Sequence, residues 1–87
     1  MSFVNIGFGN IINSNKIVSM VTSDSAPAKR IIANAKDAGN IIDATQGRRT
    51  RSVIVCDNHV VLSALMPDTI SNRISEISLK EESDYDA

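Results

Sequence analysis

Three arginines fall within four positions in the segment Gln46-Gly47-Arg48-Arg49-Thr50-Arg51. A guanidinium is a rigid fork of donors that matches two phosphate oxygens at once. At a glycine-containing turn leading into a strand, three such groups concentrate positive potential at a rim. Gln46 and Thr50 can add neutral donors to a phosphate backbone. Two plainer readings stay open: a solvated basic turn, and a site for a small anion. Repetition favours the phosphate backbone, because an oligomer presents the cluster once per subunit and weak contacts then sum to a strong, salt-sensitive grip. A second basic pair, Lys29 and Arg30, lies in the first turns of a helix whose free amides also attract anions. Ordinary exposed helix charge is the simpler explanation of that pair, so it only supports the first.

Other chemistry finds little footing. Gly7-Phe8-Gly9-Asn10 lacks the third glycine of a dinucleotide fingerprint, and no strand–loop–helix unit follows it. It reads as a turn that lets two backbones approach, with Phe8 in the core or an interface and base stacking as the alternative. His59 is the only histidine, and no cysteine or carboxylate around it has metal-ligand spacing. Ser25 and Ser63 have no evident base, and no paired acids suggest proton transfer. Neither an enzyme nor a resident cofactor or metal is expected. Cys56 is the single cysteine, which rules out an internal disulfide and reads as a small apolar residue.

The elements that must position the arginines follow from pattern. Eighty-seven residues make one domain with a modest core, and the few aromatics leave that core to Ile, Val, Leu and Ala. Short apolar runs around Phe3–Ile6, Ile11–Ile12 and Ile17–Val21 suggest two or three strands joined by tight turns. Ser25 caps a helix over about 25–38, Pro27 fits its first turn, and Ile31, Ile32, Ala35 and Ala38 mark its apolar face. Gly39-Asn40 stops it. Ile41-Ile42 gives a short strand. Arg51–Cys56 and His59–Leu65 then form a hairpin about Asp57-Asn58, in a register that sets Val55 against Val60, Ile54 against Val61 and Val53 against Leu62. Neither strand alternates with polar residues, so both faces should be covered, one by a helix and one by a neighbouring subunit. Pro67 opens a last helix with Ile70, Ile74 and Ile77 on one face.

Charge divides along the chain. Residues 1–79 carry eight Lys/Arg against six Asp/Glu, whereas residues 80–87 carry Lys80 against Glu81, Glu82, Asp84 and Asp86. The expected organisation is a mildly basic domain over 1–79 and an acidic, disordered tail over 80–87. No run reaches the roughly 20 apolar residues of a membrane span, and no signal peptide is visible, so a cytoplasmic protein is expected, associated with the nucleoid if it binds DNA.

Several blocks together resemble one family, the bacterial extracellular matrix regulatory protein RemA and its relatives. They are Asn5-Ile6-Gly7-Phe8-Gly9-Asn10, Ser25-Ala26-Pro27-Ala28-Lys29-Arg30, the run from Asp43 to Val53 through the arginines, His59-Val60-Val61-Leu62-Ser63-Ala64, and Pro67-Asp68-Thr69-Ile70 with Arg73. Their order and spacing match over roughly residues 1–75. The resemblance implies a small α+β protein assembling into closed rings, a transcriptional regulator of matrix and biofilm genes that wraps or bends DNA around a basic surface. It places the DNA-contact arginines at Arg48 and Arg49, with Arg51 assisting and Lys29 and Arg30 at basic positions of the helix start. The chain departs from the pattern at Ser23, where many relatives have proline, and in a hairpin at Asp57-Asn58-His59 that is one residue shorter.

The reading taken forward is an α+β fold: a small, mainly antiparallel sheet with one central helix and a C-terminal helix, assembling into a ring-like homo-oligomer. Its partners are double-stranded DNA and copies of itself, with no membrane. The competing reading is an oligomeric scaffold that binds RNA or a small anionic ligand.

Overall fold

The computed structural model describes the backbone of residues 2–86 and the side chains of residues 2–77. In chain order the elements are β1 (Phe3–Asn5), β2 (Ile11–Asn13), a single 3-10 turn (Ser14–Lys16), β3 (Ile17–Thr22), α1 (Ala26–Ala38), β4 (Ile41–Asp43), β5 (Ser52–Cys56), β6 (Val60–Ser63) and α2 (Pro67–Asp86). The class is α+β. The backbone of α2 continues through residues 80–86, the span expected as a disordered tail, while the side chains from residue 78 onward lie outside the described residues.

Two sheets form rather than one. A four-stranded sheet has the order β3-β5-β6-β4, and β1 pairs with β2 as a separate antiparallel hairpin. Within the larger sheet β3, β5 and β6 are antiparallel neighbours, while β4 runs parallel to β6. The expected hairpin register is observed, with Val55 opposite Val60, Ile54 opposite Val61 and Val53 opposite Leu62. The turn does not use left-handed backbone: neither Asp57 nor Asn58 has a positive φ, and among the described residues the positive-φ non-glycine residues are Phe8 and Gln46.

Helix α1 forms as its caps dictate. The Ser25 hydroxyl accepts from the Ala28 amide at 3.2 Å, and Gly39 closes the C-terminus at φ 72° with its amide directed at the Ala35 and Lys36 carbonyls. Its apolar side, Ala28 with Ile31 and Ile32, lies on Val53, Leu62, Val21, Ile41 and Val60. The opposite sheet face packs a second cluster, in which Val4, Ile6, Ala44, Ile54, Val61 and Ile70 are buried. Each fully buried Ile contributes roughly 1.5–3 kcal/mol of transfer free energy. Ile12 from the hairpin and Ile74 and Ile77 from α2 complete that layer.

One expectation is thereby corrected. The dense strands do have both faces covered, but β1–β2 and α2 of the same chain cover the second face. Strands β5 and β6 are interior, flanked by the edges β3 and β4. The apolar surface left to solvent lies elsewhere, on Phe3, Phe8, Ile11, Val18, Ile42 and Met66. Val18 is the residue left over where the β3–β5 register shifts between Ile17 and Ser19, a bulge that roughens that sheet edge.

Candidate nucleic-acid interface

The loop between β4 and β5 carries the arginines, and its shape is fixed at both ends. Ala44 continues the ladder by donating its amide to the Leu62 carbonyl at 2.9 Å, and Arg51 does the same to Ser63 at 2.9 Å. Between them Asp43 makes a side-chain turn. Its Oδ1 accepts from the Thr45 amide at 2.9 Å and from the Thr45 hydroxyl at 2.6 Å. Thr45 is buried at 2% exposure, so this carboxylate is the partner that satisfies its hydroxyl. The two hydrogen bonds, hydroxyl first and amide second, hold the Asp43 carboxyl below the usual carboxylate range, and the charge of Lys36 adds to them. Gln46 at φ 55° and Gly47 at φ 77° then reverse the chain, and the Arg48 amide closes on the Thr45 carbonyl at 3.0 Å.

Buried hydroxyls build the floor beneath the arginines. Ser63 donates to the Ile6 carbonyl at 2.8 Å and accepts from the Leu65 amide at 3.1 Å. Ser52 donates to the Leu65 carbonyl. These bonds clamp the turn after β6 against β5 and the end of β1. Arg48, Arg49 and Arg51 line one shallow cleft of about 410 Å³ with Phe8, Ala64 and Leu65. Arg49 and Arg51 also border a smaller depression of about 170 Å³ with Thr22, Ser23, Asp24 and Met66.

All three arginines are exposed. Arg49 Nη2 lies 3.5 Å from Asp24 Oδ1, with the two side chains 69% and 83% exposed. A pair so open to water is worth less than about 1 kcal/mol and yields readily to a better anion. Among the described residues neither Arg48 nor Arg51 has an ionic partner. Three cationic forks around an open cleft, with one weak internal anion, can accept phosphate oxygens at low cost in broken contacts.

The structure brings together Arg48, Arg49 and Arg51 but not the second basic pair. Lys29 and Arg30 are exposed on α1 and line neither depression. The turn before that helix meets the cluster at Ser23, whose amide donates to the Arg51 carbonyl at 3.2 Å. Phe8, expected in the core or an interface with base stacking as the alternative, is 51% exposed on the cleft wall, which corrects only the core placement. Sequence reasoning misses Asp24 and the Asp43–Thr45 turn. An Asp two residues before a Thr is a legible turn signal, whereas the placement of Phe8 depends on long-range packing.

Elsewhere a groove of about 460 Å³ runs between α1 and the β5–β6 turn, lined in part by Asn34, Asn40, Cys56, Asn58 and His59. Partial burial, and secondarily Asp57, push the Cys56 thiol above its ordinary range, so it is a poor nucleophile near neutrality. No cluster of three or more His, Cys, Asp or Glu among the described residues could hold a metal ion. No helix among them is long and apolar enough to cross a membrane.

Residues 3–74 match the family model described as extracellular matrix regulatory protein A-like, or RemA-like. The chain belongs to the RemA-like family. The arginine loop, the Phe8 turn and the floor residues all lie inside the matched segment. Extracellular matrix regulatory protein A of Bacillus subtilis is 52% identical over 83 residues, covering 94% of this chain and 90% of that protein. A candidate regulatory protein of Desulfitobacterium hafniense is 58% identical over 76 residues, covering 86% of this chain and 84% of its own length. One from Nostoc punctiforme is 55% identical over 74 residues, covering 84% of each. These RemA-like relatives carry the names of regulatory proteins, not of enzymes.

Proposed function

We propose that this RemA-like protein is a DNA-binding transcriptional regulator, of the matrix and biofilm type, that grips phosphates through Arg48, Arg49 and Arg51. The observation that carries the reading is the convergence of three exposed guanidiniums on one cleft, with Asp24 as their one ionic partner among the described residues. Lys29 and Arg30 extend the basic surface beyond the turn at Ser23. A single copy would hold DNA weakly, since three phosphate contacts supply only a modest counterion-release term. Association of several copies multiplies them.

The surface for self-association is not the β5 and β6 faces. Phe3 and Ile11 project from the hairpin on the side away from Val4 and Ile12, and are 53% and 61% exposed. Those two residues, with Ile42 on the β4 edge, supply apolar area for contacts between copies in a closed ring. DNA held this way is selected through its shape and bendability more than through base edges. Such a protein works in the cytoplasm on the nucleoid.

Gel shifts on duplex DNA with the wild type and an Arg48→Ala/Arg49→Ala variant test the site, and light scattering tests the assembly. The reading expects salt-sensitive binding that the double variant loses, and a particle larger than a monomer. Equal binding by both proteins would refute the site. A preference for RNA or a small anion over duplex DNA would favour the scaffold reading instead.

A further inference from the structure

We infer that Phe8 is a DNA-contact residue, an aromatic wedge that inserts at a base step while the neighbouring arginines hold the phosphates. The inference rests on the DNA reading of the arginine cleft and deepens it.

Phe8 is displayed by a turn built for the purpose of holding its backbone in an unfavourable state. Gly7, Phe8 and Gly9 follow one another at φ 108°, 53° and 77°. Left-handed backbone is routine for glycine but disfavoured for a bulky aromatic residue, and such a residue persists there only when its surroundings fix it. They do so here. The Gly7 amide donates to Asn5 Oδ1 at 2.7 Å, the Ile6 amide to the Asn10 carbonyl at 2.9 Å, and the Asn10 amide to the Gly7 carbonyl at 3.0 Å. Asn10 Nδ2 adds a bond to the Gly7 carbonyl at 2.9 Å and a longer one, 3.4 Å, to the carbonyl of Ala44 at the base of the arginine loop. A Cβ on Gly7 would stand 3.5 Å from Leu65 Cγ, so the turn is also pressed onto the cleft floor.

The strain gains nothing for the core, because the ring it displays remains 51% exposed. It does put an apolar, flat side chain on the wall of the cleft that Arg48, Arg49 and Arg51 line. Phosphate contacts position a duplex and an apolar side chain between base pairs kinks it; that combination is how architectural DNA-binding proteins bend DNA. Base–aromatic contact is tolerant of sequence, since every base offers a face. The pairing of a wedge with phosphate clamps therefore suits a protein that reads deformability.

The strain also supplies the test. Asn and Gly accept φ 53° better than Phe, so Phe8→Asn should raise the melting temperature while removing the ring. Duplexes carrying 2-aminopurine at successive steps report unstacking directly. Wild-type protein should raise 2-aminopurine fluorescence at defined steps. Phe8→Asn should abolish that rise and weaken binding about tenfold, the scale of one lost base–aromatic contact. Its salt slope should match the wild type, whereas Arg48→Ala/Arg49→Ala should make the slope shallower. Unchanged affinity and fluorescence in Phe8→Asn would overturn the wedge and leave the arginine site standing. So would a drop in particle mass on light scattering, which would make Phe8 a contact between subunits. Absence of salt-sensitive DNA binding by the wild type would overturn both readings together.

Discussion

Asp43 shows how a residue outside the cleft governs it. Its carboxylate is the acceptor for both the amide and the hydroxyl of buried Thr45, and Arg48 hangs from the Thr45 carbonyl. Asp43→Ala leaves that hydroxyl without its acceptor, which costs about 1–3 kcal/mol in the folded state. Denaturant melts should report the loss, and DNA affinity should fall with it because the arginine loop loosens. The same bonds set a pH dependence. The folded carboxyl titrates below its ordinary value, so its stabilisation is complete above the unfolded pKa near 3.8 and fades as pH falls through the lower folded value. Asp43→Ala should therefore flatten the acid limb of stability against pH, while melts near neutrality still show the lost bonds. The arginines themselves were legible because their chemistry is local: three forks in four residues beside a glycine. Phe8 was legible only in part: its flanking glycines signal a turn, but whether its ring enters the core, an interface or the cleft depends on long-range packing, such as that of Gly7 on Leu65.

The elements divide by how far their determinants reach along the chain. Helix α1 is written within its own span, through the Ser25 cap, the Ala28–Ile32 face and the Gly39 stop, and it appears where the pattern puts it. Ser25→Ala and Gly39→Ala should each destabilise the domain by about 1 kcal/mol, the first through an orphaned Ala28 amide and the second through a strained φ of 72°. Thermal melts would register either one. The β5–β6 register is equally local, since a two-residue turn fixes every pair above it. Strand β4 differs. Its parallel pairing with β6 is set by Val60 donating to Asn40 and Ala44 donating to Leu62, contacts about 20 residues apart that a three-residue strand does not announce. The β1 and β2 strands were legible, but their separation from the larger sheet was hidden for a related reason: periodicity shows which residues want burial, not which sheet face receives them.

At the scale of the molecule, the surplus of Ile and Val that suggests a neighbour is largely absorbed by the chain's own second layer. What remains outside is a smaller set, and Phe3 and Ile11 on the hairpin are its most accessible pair after Val18. If those residues join copies, Ile11→Asp should reduce particle mass on light scattering. It should also weaken DNA binding by more than tenfold without touching an arginine, because avidity and not a contact is lost. The proposed grip on DNA is by phosphate contacts at Arg48, Arg49 and Arg51. The most direct test is the salt dependence of duplex binding, measured side by side for the wild type and Arg48→Ala/Arg49→Ala. Each lost phosphate contact removes about 0.9 from the slope of log K against log salt. Such a grip predicts a steep wild-type slope that becomes distinctly shallower, with lower affinity, in the variant. Identical slopes and affinities would contradict it.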